Sequence, residues 1–229
     1  MTTNDQAQER LNRDLLIAEN VLQRVLKSSE DSLYNSAYVL TADFGFKRAV
    51  ASDDKGTIDS ALSNHGNRIN ADLMALVSLG GNTITSVPNA LKKKQAFPYP
   101  EVIDKVINEG GYSSLMMLDK QLYQVIMLTV DAPTPIAIAL VGFKVENTLL
   151  SELKATIQLE TTLQVYTNKE EVFRISTLPE GIVDTALAQL GHPPSWLSIT
   201  VTKDIPYVSL QFKLADNLGS QTVITLSED

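Results

Sequence analysis

The sequence predicts an α+β chain: one long N-terminal helix followed by two mixed units, each with a five-stranded antiparallel sheet. Three observations carry this. No Gly or Pro occurs from Met1 to Phe44, and apolar residues there recur in steps of three and four. From Ala71 the text runs strand, strand, helix, strand, strand, strand, and the same order returns after Glu146. The 229 residues, 44% hydrophobic and 20% charged, suffice for one large domain or two small ones. The expected segments are 1–50 (long helix and a helical patch), 51–145 (first unit) and 146–229 (second unit).

The long helix carries Leu11, Leu15, Ala18, Leu22 and Val25, then Leu33, Ala37 and Leu40, with Ser28, Ser29 and Ser32 weakening the stripe between. Unbroken, it would reach roughly 60 Å at 1.5 Å per residue, long enough to run alongside two stacked units. The patch FGFKRAV follows, with Phe44, Phe46 and Val50 as candidate core. Ser52-Asp53-Asp54 reads as a helix N-cap before a segment carrying Ile58, Leu62 and His65. ADLMALVSL and TITSV flank Gly80-Gly81-Asn82, the pattern of a β-hairpin. A loop from Pro88 to Pro100 leads into PEVIDKVINEG, a helix punctuated by Pro100 and Gly110-Gly111. The strands YSSLMML, LYQVIMLTV and PIAIALVGFKV complete the first unit.

The second unit opens with the helical ENTLLSELKATIQLE. The strands TTLQVYT and EVFRIST follow, separated by a turn at Asn168-Lys169-Glu170. PEGIVDTALAQL is a helix with Pro179 near its start and Gly191 after it. WLSITVT, YVSLQFKL and SQTVITLSE are the closing strands.

Nineteen basic residues stand against 27 acidic ones, a formal charge of −8. Such a balance argues against a nucleic-acid surface, which needs clustered Lys and Arg; the one basic run is Lys92-Lys93-Lys94. With no cysteine there is no disulfide and no thiolate-ligated metal. No segment approaches the ~20 apolar residues of a membrane span, so any anchor would lie outside these residues.

The doubled element order behind one long helix resembles the double Cache (dCache, PAS-like) sensor domains of bacterial membrane signalling proteins such as diguanylate cyclases. Residues 44–82 carry the resemblance. Family members show Phe-x-Phe, Ala-Val, an acidic turn, Asn-His-x-x-Arg-Ile and Ala-Asp-Leu. The counterparts are Phe44, Phe46, Ala49, Val50, Asp53, Asn64, His65, Arg68, Ile69, Ala71, Asp72 and Leu73. The resemblance implies a module outside the cytoplasmic membrane, anchored by spans beyond both ends, with a membrane-distal unit over 51–145 and a membrane-proximal one over 146–229. It also implies a small-molecule ligand in the distal unit and a cytoplasmic output, either cyclic-di-GMP synthesis or a kinase. A homodimer through the N-terminal helix is expected, with the Leu11–Val25 stripe either the dimer seam or packed on the second unit. The only Trp, Trp196, lies in the second unit, so the amino-acid-binding subgroup's pattern is not matched.

In PAS-like units the pocket forms between the sheet and the helices and loop crossing it. Tyr99, Tyr112, Tyr123 and Gln124 could hydrogen-bond a ligand there, beside Met116, Met117 and Met127. Arg68 or Lys94 could face an anionic group and Asp131 a cationic one. Each has a plainer reading: a strand tyrosine usually packs, and a lysine run is usually a solvated loop. Alternation already separates Tyr123 and Met127 from Gln124.

Signals for catalysis are weak. Ser151-Glu152-Leu153-Lys154 has Ser-x-x-Lys spacing without its Lys-Thr-Gly and Ser-Asp-Asn companions, and reads first as a solvated helix face. His65 reads as a capping or packing residue, and His192 as part of a loop. Two isolated histidines make a zinc site improbable. The chain is therefore expected to be no enzyme and to need no cofactor or metal. A periplasmic protein-interaction module without a small ligand is the rival reading, and a soluble hydrolase the third.

Overall fold

The computed structural model describes residues 3–190, 197–201 and 208–228. His192 and Trp196 lie outside the described residues. The chain divides into two compact units. One, the central unit, is Ser28–Val145; the other, the terminal unit, joins Met1–Lys27 to Glu146–Asp229.

Helix α1 (Thr3–Ala42) is unbroken, as its lack of Gly and Pro predicts, and contributes to both units. It stops because Asp43 takes an extended conformation and accepts the N–H of Phe46 at 2.8 Å, capping α2 (Phe44–Ala51). Asp54 caps α3 (Lys55–Ile69) in the same way, accepting from the N–H and hydroxyl of Thr57. Asn70, left-handed at φ 54°, closes α3.

The central sheet has strands β1 (Leu73–Val77), β2 (Thr83–Val87), β3 (Gly111–Leu118), β4 (Gln121–Asp131) and β5 (Pro135–Lys144). Their order is β2-β1-β5-β4-β3, every pair antiparallel. One face packs Met74, Leu76, Ile126, Leu128, Ala139 and Val141 against Ala37 and Leu40 of α1, Phe46 and Val50 of α2, and Ile58 and Leu62 of α3. Phe44 departs from the expected core. It is 73% exposed, because Phe46 takes the inward position and Phe44 turns out under the Arg48 guanidinium, 5.9 Å from its ring centre.

On the opposite face Leu73, Ala75, Val125, Met127, Ile138 and Leu140 are buried. Helix α4 (Glu101–Glu109) lies on that side: its Lys105 ammonium stands 4.8 Å over the ring of Tyr112, which shares a face with Met127. Gly110, at φ 79°, ends α4 where a side chain would be strained.

The terminal unit has α5 (Asn147–Ile157), α6 (Glu180–Leu190) and strands β6 (Glu160–Thr167), β7 (Glu170–Ser176), β8 (Leu197–Val201), β9 (Val208–Asn217) and β10 (Ser220–Glu228). The order β7-β6-β10-β9-β8 repeats the central sheet. Leu163, Val165, Leu210, Phe212, Ile224 and Leu226 share one face. The other carries Thr162, Gln164, Tyr166, Ser209, Gln211, Thr225 and Ser227, all of them also buried. Leu15, Ala18 and Leu22 of α1 are buried within the single chain, so this part of the stripe is already covered; Ile17 and Val21 are the exposed apolar residues beside it. No helix among the described residues is long and apolar enough to cross a membrane.

Candidate functional site

The loop after β2 is held by its backbone. Thr83 donates to Gln95, Lys94 donates to Thr83 and Phe97 donates to Gly81, each at 2.8 Å. Lys94 therefore sits at a turn with φ 62° and its side chain exposed, while Lys93 pairs with Asp59 of α3 at 3.4 Å. Phe97 is carried inward and meets the Tyr99 ring edge-on at 6.0 Å. Tyr99 donates its hydroxyl hydrogen to the carbonyl of Met117 at 2.8 Å, and burial holds its pKa above the usual phenol value.

The residues singled out from sequence divide among several places. Tyr112, Met116 and Tyr123 share the α4-facing side with Met127. Met116 and Tyr123 are fully buried there, and Tyr123 lies against Gly142 in a space any larger residue would invade. Gln124 points to the other face, opposite Phe143, and is half-buried. Arg68 is exposed in the last turn of α3, where it complements the helix dipole. The α4-facing side is occupied by the protein's own Phe97, Met116, Met127 and Leu140.

Asp131 stands apart from these. It lines a cleft of about 300 Å³ with Tyr34, Tyr38 and Thr41 of α1, Lys47 of α2 and Glu109. Its Oδ1 is sealed from solvent and has no hydrogen-bond partner among the described residues. Ser113 of β3 donates to Glu30 of α1, and Gly111 leaves room for the Tyr34 hydroxyl, so α1 is seated closely on this side. Two phenols and the Glu109 carboxylate beside the Asp131 carboxylate suit a cation or N–H donor, with Lys47 the single opposing charge among the residues that line the cleft. The sequence singles out Asp131 but not Tyr34, Tyr38, Thr41, Lys47 or Glu109. The available signal was the spacing of Tyr34, Tyr38 and Thr41, which puts all three on one face of a helix.

His65 packs edge-on to Phe46 at 5.5 Å, with Nε2 3.8 Å from Asp43 Oδ1. Burial pushes its pKa down, partly offset by Asp43. Ser151 donates to the carbonyl of Asn147 at 2.9 Å, while Lys154 pairs with Glu160 at 2.6 Å. Both members of the Ser-x-x-Lys pair are thus engaged with other groups. Among the described residues no group of three or more His, Asp or Glu is placed to hold a metal.

No protein-family model matches the sequence, and no curated protein matches it. Solved structures do. The sensor domain of the Vibrio cholerae histidine kinase DctB superposes with a TM-score of 0.61 at 12% identity, covering 98% of this chain and 99% of that one. The periplasmic domain of Vibrio cholerae LuxQ gives 0.60 at 13% identity, over 94% and 100%. The ligand-binding domain of the Pseudomonas fluorescens chemoreceptor CtaA, in complex with L-isoleucine, gives 0.52 at 13% identity, over 99% and 93%. At such identities the likeness speaks for architecture. One long helix and two sheets of matching strand order are the double Cache fold of sensor domains, and that is the fold of this chain.

Proposed function

We propose that this chain is the extracytoplasmic ligand-sensing domain of a transmembrane signalling protein, with its ligand bound in the central unit. The observation that carries the reading is Asp131, which lines the Tyr34–Tyr38 cleft and whose Oδ1 is buried and unpaired. A sealed acceptor without a donor is costly in a folded protein, and a ligand N–H or ammonium would supply the donor. The fold supports the sensor role, since the similar structures include kinase sensor domains and a chemoreceptor domain solved with a small molecule. Of the two outputs expected from sequence, those hosts favour a kinase over cyclic-di-GMP synthesis, and they add a chemoreceptor tail. Because α1 and β4 both line the cleft, a ligand would bias the seating of α1, the element that would lead to the membrane. A homodimer would use the exposed Ile17 and Val21, since Leu15 and Leu22 are consumed internally.

A thermal-shift screen of small amines and other metabolites tests the reading. At least one amine should raise the Tm of the intact chain, and Asp131→Asn should abolish that rise without unfolding the protein. An amine response that survives Asp131→Asn, or no response to any compound, overturns it. The filled α4-facing side favours a second reading, a periplasmic protein-interaction module with no small ligand. A silent screen together with a specific protein partner would support that alternative.

A further inference from the structure

We infer that the polar face of the terminal sheet is a second binding site, for a small uncharged solute rich in O–H or N–H donors. The sheet faces are set by register. Thr225 of β10 pairs with Gln211 on one side and Thr162 on the other, and Val223 pairs with Gln164. All five side chains therefore project from the same face. Gln164 and Gln211 are 2% and 1% exposed, and the Oε1 of each is buried without a hydrogen-bond partner among the described residues.

Reassigning the amides does not remove the shortfall at either glutamine. Gln164 Nε2 donates to the Glu171 carboxylate at 2.5 Å; a carboxylate only accepts, so the nitrogen must face it and the oxygen must face away. Gln211 Nε2 lies 3.4 Å from Thr225 Oγ1; turning that amide round would satisfy the oxygen and leave the nitrogen without a partner. Buried polar atoms in folded proteins are nearly always paired, so two orphans on one face point to a partner outside the chain.

The position suits a ligand. Strand β10 separates β6 from β9, and Gln164 and Gln211 lie two residues apart along it, so the two glutamines stand about 12 Å apart on the sheet, the span of a small molecule. Thr225 and Val223 form the floor between them. Helix α6 lies on this face, since Arg174, opposite Gln164, pairs with Asp184 of α6 at 2.5 Å. The equivalent face of the central sheet lies under α4 and is filled with Met, Leu, Ile and Val. Here hydroxyls and amides replace them, with Ser209 and Ser227 2.8 Å apart. The charges on this face have partners already: Arg174 is held by Glu171 and Asp184, and Lys213 is engaged as well. An uncharged solute offering several donors therefore fits better than an ion.

The test titrates the intact chain with ribose, sorbitol, urea and acetamide, using succinate and L-isoleucine as charged comparators. The readouts are the side-chain amide resonances of Gln164 and Gln211 and the Tm. At least one uncharged solute should shift both resonances saturably and raise the Tm. Gln164→Met and Gln211→Met should each weaken binding about tenfold or more. Asp131→Asn should leave it unchanged, which separates this site from the central cleft. If no uncharged solute moves those resonances in the unaltered protein, the face is a water-lined polar core and the inference fails. It fails equally if folded Met variants bind as well as the parent.

Discussion

Tyr99 and Met117 are joined by a 2.8 Å hydrogen bond from phenol to backbone carbonyl, which fastens the loop before α4 to the edge strand β3. Tyr99→Phe removes the donor and keeps the ring against Phe97. The expected loss is about 0.5–1.5 kcal/mol of unfolding free energy, the net worth of such a bond. Chemical denaturation measures it. An unchanged midpoint would show that water replaces the phenol without cost.

Gly111 sits where the Tyr34 hydroxyl and a Leu128 methyl leave no room for a Cβ. Gly111→Ala should destabilise the central unit by about 1–3 kcal/mol through overpacking. Tyr34→Phe, which deletes the clashing oxygen, should recover part of that loss in the double variant. Denaturation of the two single variants and the double closes the cycle. Strictly additive effects would mean the two residues do not press on one another.

Phe44 and Phe46 are two residues apart and should behave oppositely. Phe46 is fully buried between α2 and the sheet, so Phe46→Ala should cost about 3–5 kcal/mol. Phe44 faces solvent, so Phe44→Ser should stay within about 0.5 kcal/mol. Thermal melts of the two variants decide the matter, and a large loss from Phe44→Ser would place its ring inside.

His65 gives a pH signature. Burial holds its pKa below the ordinary 6.5, with Asp43 opposing and Arg68 assisting. The unfolded chain therefore binds the proton more readily than the folded one. Above pH 6.5 both forms are neutral and His65 costs nothing. Stability falls as the pH drops from 6.5 through the folded value, and the His65 penalty is complete below it. Asp43 acts in a lower window: the Phe46 N–H, chiefly, holds its pKa below 3.8, so its contribution disappears only under more acid conditions. His65→Gln should flatten the loss beginning at pH 6.5 in a Tm-against-pH series. A variant curve parallel to the parent's would remove His65 as the source.

The helices and strands were legible because each rests on a local rule. Freedom from Gly and Pro gave α1, Asp54 and Gly110 marked helix ends, and alternation gave the strands. Asp131 could be nominated as an acid at a strand end. Its companions could not, because Tyr34 and Glu109 are brought beside it only when α1 seats on the sheet. Phe44 and Phe46 looked equivalent, and cap geometry at Asp43 decides which of them turns inward.

What the sequence alone determined is the order of elements, the doubled plan and the side of each strand on which a residue falls, all properties of near neighbours. Whether a side is wet or dry was left to the tertiary structure. Thr162, Gln164 and Tyr166 alternate with Leu163 and Val165 as a solvated strand would, yet in the folded chain both sides are buried. Burial depends on what packs over a sheet from distant parts of the chain. The same alternation can therefore describe an outer surface or, as here, a polar interior.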